Sequence, residues 1–341
     1  MTERLAESRG GILSIHCNDT HAFCRQGNGT VGVYNLGSGQ LTRELAPPEE
    51  NFDIHISRYS FPVVGEEVVA AAFGGNKVMV WSSKGAMEEL HTLNVQDYSC
   101  SDVSCEHGSV IFTNIRSVLV VDCSKVAILV EQVRYIDLQR SSQVSLILLE
   151  KVNGNWENKN LGCFPSCLCS LASDGAWLAL LVGEQEKIKL WRGSESQEDI
   201  SLAESDCKFV TRDQVDMFIE IPHIILIVPG YRNSVIKVYK MEATVLHLIK
   251  SIQVEGPCTL RPIANKFCLG ILTSHSRATS VHLFTKKELF TDGLSPDETE
   301  RRTIVVEGSL VANAMNTTSL LSVLMDKRGE EMGLIKNYFW V

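Results

Sequence analysis

The chain of 341 residues has 32 Lys and Arg against 41 Asp and Glu, a formal charge of −9 at pH 7. That balance sets aside nucleic acid and anionic membrane as main partners, while 44% hydrophobic and 21% charged residues match a soluble globular chain long enough for a self-sufficient core. No apolar run reaches the roughly 18 residues of a membrane span. The opening "MTERLAESRGG" lacks an apolar signal core, so the eleven cysteines read as reduced thiols of the cytosol or nucleus. On that reading the N-x-Ser/Thr matches at Asn18, Asn28 and Asn316 are accidental.

The first elements are three short strands, "ILSIHC" (12–17), "AFCRQ" (22–26) and "TVGVYNL" (30–36), followed by "LTREL" (41–45) as a fourth. The third lies inside "GNGTVGVYNLGSG", whose Gly27, Gly29 and Gly32 also fit G-x-G-x-x-G. A dinucleotide site needs a helix beginning within that pattern. Here Val31, Val33 and Tyr34 alternate as in a strand and Gly37-Ser38-Gly39 forbid a helix, so the glycines form a turn.

The third strand recurs. "VMVWSS" (78–83), "VLVVDC" (118–123), "IKLWRG" (188–193), "IKVYKM" (236–241), "VHLFTK" (281–286) and "LIKNYF" (334–339) share its period-2 pattern, most with a late aromatic. Aligned on Tyr34, Trp81, Val121, Trp191, Tyr239, Phe284 and Tyr338, they are spaced by 47, 40, 70, 48, 45 and 54 residues. Most spacings lie at or just beyond the roughly 40–45 residues of a four-stranded propeller blade. "VSLILLEK" (144–151) falls in the 70-residue gap and makes eight units the alternative to seven with an irregular, enlarged unit at about 98–162.

Further along, "CLCSLA", "WLALLV" and "IKLW" repeat the strand order around the turn "SDG". "SESQEDISLAESD" (194–206) is a solvated loop and edge strand, and "KKELFTDGLSPDETERR" (286–302) a charged, mobile insertion in which Ser295-Pro296 is a single phosphorylation-type dipeptide. The last unit offers "LVANAM", "SLLSVLMD" and "GLIKNYFW" but no fourth strand, a place that residues 3–9 can fill.

With its recurrent strand and "VGVYNLGSGQ" as a blade ending, Tyr34-Asn35 standing where Trp-Asp is usual, the chain resembles the WD-repeat family over nearly its whole length. There is no Gly-His and no Trp-Asp dipeptide, so the family's buried polar network is largely absent and apolar packing takes its place. The resemblance implies an all-β fold, one closed β-propeller domain over 1–341, with seven four-stranded blades and the N-terminal strand completing the last.

Chemistry-bearing patterns are sparse. "CFPSCLC" gathers Cys163, Cys167 and Cys169, and "HCNDTHAFC" gathers His16, Cys17, His21 and Cys24. Neither has zinc-site spacing, so they read as packing cysteines; no metal, cofactor or catalytic residue is assigned, and G-x-S-x-G, H-E-x-x-H and G-K-[ST] are missing. If the recurrent strand is third in each unit, the turns before it open on one rim. Those turns hold Lys77, Arg116, Lys187, Tyr231, Arg232, His275, Arg277, Lys327 and Arg328, beside the acids Glu184, Glu186, Asp326, Glu330 and Glu331. Arginine forks and aromatic faces suit acidic or phosphorylated peptides, although an ordinary charged surface has the same composition. The expected function is a non-catalytic scaffold or adaptor in an intracellular complex, binding protein subunits or peptide segments. Two alternatives stay open: a ubiquitin-ligase substrate receptor reading acidic or phosphorylated peptides, and a propeller hydrolase.

Overall fold

A computed structural model describes residues 2–6, 11–27, 29–45, 62–65, 67–73, 77–83, 87–95, 110–136, 139–165, 169–182, 187–192, 195–196, 200–201, 215–230, 232–243, 245–256, 262–275, 278–291, 301–307, 309–325 and 331–338. Among them strands dominate, and the one α-helix is the four-residue Lys286–Leu289. Hydrogen bonding joins the strands into six sheets, five of four strands and one of nine. The expected seven separate sheets are thereby corrected to six. Nine strands exceed what one four-stranded repeat supplies, and the unpaired N–H and C=O groups of a sheet edge pair with any edge beside them.

The chain forms two compact units, Met1–Pro47 with Lys208–Val341, and Pro48–Cys207. In the first unit, Ile12–Cys17, His21–Gln26, Val31–Asn35 and Leu41–Leu45 form an antiparallel meander in the expected order. The same up-and-down order links Asp216–Glu220, His223–Val228, Asn233–Glu242 and Val245–Glu255. It links Ile263–Ala264, Cys268–His275, Ala278–Thr285 and Arg301–Glu307 as well. Ser309–Met315, Ser319–Met325 and Glu331–Tyr338 make a fourth run, completed by Thr2–Ala6, which pairs antiparallel with Glu331–Tyr338. The N-terminal closure expected for residues 3–9 is thus present over Thr2–Ala6.

Neighbouring runs of this unit pack face to face through apolar side chains. Ile15, Cys17, Ala22 and Cys24 meet Ala312, Ala314, Leu321 and Val323 in one cluster. Cys268, Leu272, Val281 and Leu283 meet Met315 and Leu320 in another. Each large aliphatic side chain among them taken out of water contributes roughly 1.5–3 kcal/mol, and within Cys268–His275, Ala278–Thr285 and Arg301–Glu307 the buried His282 ring adds hydrogen bonds to Thr273 Oγ1 at 2.9 Å and Thr303 Oγ1 at 3.2 Å.

The second unit contains the enlarged repeat. Its strands Val110–Asp122, Lys125–Ile136, Gln139–Val152 and Asn155–Pro165 have 13, 12, 14 and 11 residues. The neighbouring run of Val63–Val64, Val68–Phe73, Lys77–Ser82 and Glu89–Asn94 has at most six per strand. The 70-residue gap holds no added sheet: it runs from Val121 in the first of these long strands to Trp191 in the third strand of the following run. Both faces of the long-stranded sheet are covered: Val126, Ile128 and Val130 join the cluster of the preceding run. Ala127 and Leu129 join that of the following run, built on Cys169–Ser173, Trp177–Val182 and Lys187–Arg192. Burial on both faces explains the continuous apolar "VAILV" at 126–130.

This sheet also corrects the strand alignment. "VLVVDC" ends the first strand of its run, and the third strand is the one containing "VSLILLEK". A first strand buried on both faces shows the same apolar pattern as a third, so pattern alone misplaced it.

Candidate functional site

The turn between the second and third strands of the first run is the hairpin that the glycines suggest. Gly27 and Gly29 close the hairpin between His21–Gln26 and Val31–Asn35, with Gly29 N–H donating to Gln26 O at 3.0 Å and Gln26 N–H to Thr30 O at 2.9 Å. Gly29 has φ +88°, a region glycine enters without cost. No helix follows, so these glycines turn a chain and do not face a phosphate.

Of the expected binding residues, Lys77 and Lys187 open third strands, Lys77–Ser82 and Lys187–Arg192. Arg232 is exposed immediately before Asn233–Glu242, without an ion-pair partner among the described residues, and its carbonyl accepts from Gly256 N–H at 2.9 Å. His275 ends Cys268–His275, paired across the turn with Ala278. Arg116 is a correction. It lies within Val110–Asp122 at a bulge between Ile115 and Ser117, 3.9 Å from Glu131, because the strand runs past the expected turn. Tyr231, Arg277, Lys327 and Arg328 lie outside the described residues, as do Glu184, Glu186, Asp326 and Glu330.

The turns between first and second strands carry a feature that the sequence reading missed. At Asn18, Asn265 and Asn316 in the first unit and Asp174 in the second, a backbone N–H donates to the carbonyl three residues on. The side-chain Oδ1 in turn accepts the N–H groups two and three residues on. The signal was Asn or Asp opening a four-residue turn, where its carbonyl mimics a backbone acceptor. Two of the three glycosylation-type matches are such turns. In the first unit the turns are also joined: Asn265 Nδ2 donates to Asn316 O at 2.6 Å, and Thr317 N–H and Oγ1 donate to Asp19 Oδ1 at 3.1 and 2.7 Å.

The start of the charged insertion is ordered against this side. Thr285 caps the helix Lys286–Leu289, and Lys286 Nζ lies 2.8 Å from Glu220 Oε2. The Phe290 ring stacks on His223 with centroids 4.3 Å apart and planes 7° from parallel. The buried Lys250 ammonium donates to Glu288 O at 2.6 Å. Residues 292–300, including Ser295, lie outside the described residues.

The cysteines of "HCNDTHAFC" pack: Cys17 and Cys24 belong to an apolar cluster. Burial, reinforced by the Asp19 charge, pushes the Cys17 thiol up, so it stays protonated. Cys169 is buried, Cys163 is exposed and Cys167 lies outside the described residues. Among the described residues no three His, Cys, Asp or Glu side chains lie close enough to hold a metal ion.

His91 lies on Glu89–Asn94 with its ring stacked on Trp156, centroids 6.4 Å apart and planes at 24°. Its Nε2 and the Trp156 Nε1 are buried without hydrogen-bond partners. Burial holds His91 below its ordinary value, against the opposing charge of Glu89. A histidine lowered by folding binds protons more readily when unfolded, so its contribution is present above the unfolded value of 6.5 and lost as pH falls below it. Between pH 7 and 5 the melting temperature should fall slightly more for the parent than for His91→Phe, which keeps the stacked ring without the titration. The difference is on the order of a degree; equal slopes would show that His91 does not report folding.

Neither a family model nor a curated protein sequence matches the chain. Solved structures do. The β-propeller domain of Cps50 (Swd1) from Myceliophteria thermophila superposes with a TM-score of 0.60 at 8% identity, covering 100% of both chains. U3-55K superposes at 0.59 with 10% identity, covering 99% of this chain and 98% of that one. The WD40 repeats of RRP9 superpose at 0.56 with 10% identity, covering 98% and 96%. No helix among the described residues is long and apolar enough to cross a membrane. At such low identity the likeness speaks to architecture alone, and the architecture it establishes for this chain is the β-propeller.

Proposed function

We propose that the protein is a non-catalytic interaction scaffold that binds peptide segments or subunits of a multiprotein complex through the turns between its second and third strands. The observation that carries this reading is the propeller fold itself. Its up-and-down repeats devote their hydrogen bonding and apolar faces to one another and leave the turns to vary. Arg232, exposed and without an ion-pair partner among the described residues, supports an acidic or phosphorylated ligand at these turns. All six described cysteines are free thiols, in keeping with a reducing compartment, the cytoplasm or nucleus.

Arg232, Arg277 and Arg328 belong to successive runs of the first unit. Charge-assisted hydrogen bonds from three guanidiniums contribute roughly 1.5–3 kcal/mol each before desolvation and ordering costs. Replacing all three with Glu should leave the β-type circular dichroism spectrum intact and remove at least one protein recovered by affinity purification from cells. Unchanged recovery with a folded triple variant would reject these turns as the site.

A further inference from the structure

We propose that the surface formed by Lys266, Phe267 and the helix Lys286–Leu289 docks an acidic segment of a partner protein that carries an apolar anchor residue. It shares with the proposed function only the premise that the protein binds protein segments; the turns, residues and test are different.

Phe267 sits in the turn between Ile263–Ala264 and Cys268–His275 and is 47% exposed. Its backbone is held on both sides: Phe267 N–H donates to Asn265 Oδ1 at 2.8 Å, and Phe267 O accepts from Lys286 N–H at 2.8 Å. The ring is therefore offered on a fixed frame, so little backbone freedom is lost when a ligand covers it. The frame has its own anchor in the buried Lys250, whose ammonium holds Glu288 O. Phe290, half-buried and stacked on His223, adds aromatic surface at the end of the helix.

Charge selects the ligand. Lys286 is committed to Glu220, and the Glu288 carboxylate accepts from Thr285 Oγ1 at 2.6 Å. Lys266 and Lys287 are exposed and have no ion-pair partner among the described residues; the Lys266 ammonium lies 5.9 Å from the Phe267 ring centroid. With Lys286 paired to Glu220, two lysines stand against the one Glu288 carboxylate, so the local balance at this surface is positive on a chain whose net charge is −9. Carboxylates beside an apolar side chain complement the Lys266 ammonium at the exposed ring and the exposed Lys287 of the adjoining helix.

The test is selection of a phage-displayed random peptide library on the full chain. Enriched peptides are expected to place Asp or Glu beside an aromatic or aliphatic residue and to weaken as salt is raised. Their affinity should fall about tenfold or more in Lys266→Glu/Lys287→Glu and in Phe267→Ala, and stay unchanged in Arg232→Glu. Failure of any peptide to enrich, enrichment without acids, or equal binding to the Lys266→Glu/Lys287→Glu variant overturns the proposal. Loss in Arg232→Glu instead would move the ligand to the other set of turns. Binding to phosphatidylserine vesicles that these variants abolish, without peptide enrichment, would make the surface a lipid contact.

Discussion

Deleting residues 1–10 is expected to lower the melting temperature by about 3–5 °C and to promote self-association. Thr2–Ala6 contributes the outer strand of the run that contains Glu331–Tyr338, with Thr2, Glu3, Arg4 and Ala6 opposite Asn337, Lys336, Ile335 and Leu334. Each backbone hydrogen bond of that pairing contributes about 0.5–1.5 kcal/mol net, offset by the entropy of ordering five residues. The edge left by the deletion matters more than the lost bonds. Glu331–Tyr338 would present a row of unpaired N–H and C=O groups, a template for another chain's strand. The measurements are a thermal melt and light scattering at two concentrations, followed by addition of a synthetic peptide of residues 1–10. Restoration by the peptide identifies strand pairing as the cause. A truncated chain as stable and monodisperse as the parent would mean that the segment adds nothing to closure.

That strand was legible in the sequence because an absence announced it: three strand patterns at one end lacked a fourth, and the other end held a spare. The recurrent strand was legible for a different reason. Tyr34, Trp81, Trp191, Tyr239 and Phe284 are all buried near the ends of third strands, where a wide ring fills the gap between sheets. The alignment failed at Val121, in a first strand. The true third strand of that run, Gln139–Val152, carries no aromatic and is apolar on both faces between its neighbours. Length failed too, since nothing in a period-2 pattern says where a strand stops; Arg116 was placed in a turn that the chain does not make there.

The surface was harder to read than the fold. Basic residues near glycines gave one set of turns its prominence, whereas the exposed Phe267 and Lys266 beside it drew no notice and Lys286 and Lys287 were read only as the start of a charged insertion. Their significance depends on which neighbouring charges are already paired. Lys286 and Lys287 are adjacent and identical in type, yet one is committed to Glu220, 66 positions away, and the other has no ion-pair partner among the described residues. Sequence spacing carries no record of that difference.

Asn316→Ala is expected to destabilise the protein by about 2–3 kcal/mol, more than Asn18→Ala and far more than Asn316→Asp. Asn316 Oδ1 accepts from Thr318 N–H at 3.0 Å, Ser319 N–H at 2.8 Å and Ser319 Oγ at 2.9 Å. Asn316 is only 5% exposed and Ser319 is fully buried, so water cannot replace the lost acceptor. A buried donor left without a partner costs about 1–3 kcal/mol, and rotation of the Ser319 hydroxyl toward another acceptor keeps the total near the lower half of the sum. Asn18 performs the same task for Thr20 and His21, but in a more exposed turn where water can take over, so its loss should cost about 0.5–1 kcal/mol. Aspartate at 316 keeps the acceptor. Removing Asn316 also loosens the backbone whose carbonyl receives Asn265 Nδ2 and whose next residue holds Asp19, so the loss should couple to Asp19→Ala in a double-mutant cycle. Denaturant unfolding of the parent and the five variants (Asn316→Ala, Asn18→Ala, Asn316→Asp, Asp19→Ala and the Asn316→Ala/Asp19→Ala double) reads these values directly. Equal losses for Asn316→Ala and Asn18→Ala would show that burial does not set the cost of these turns, and strict additivity with Asp19→Ala would show that they act separately.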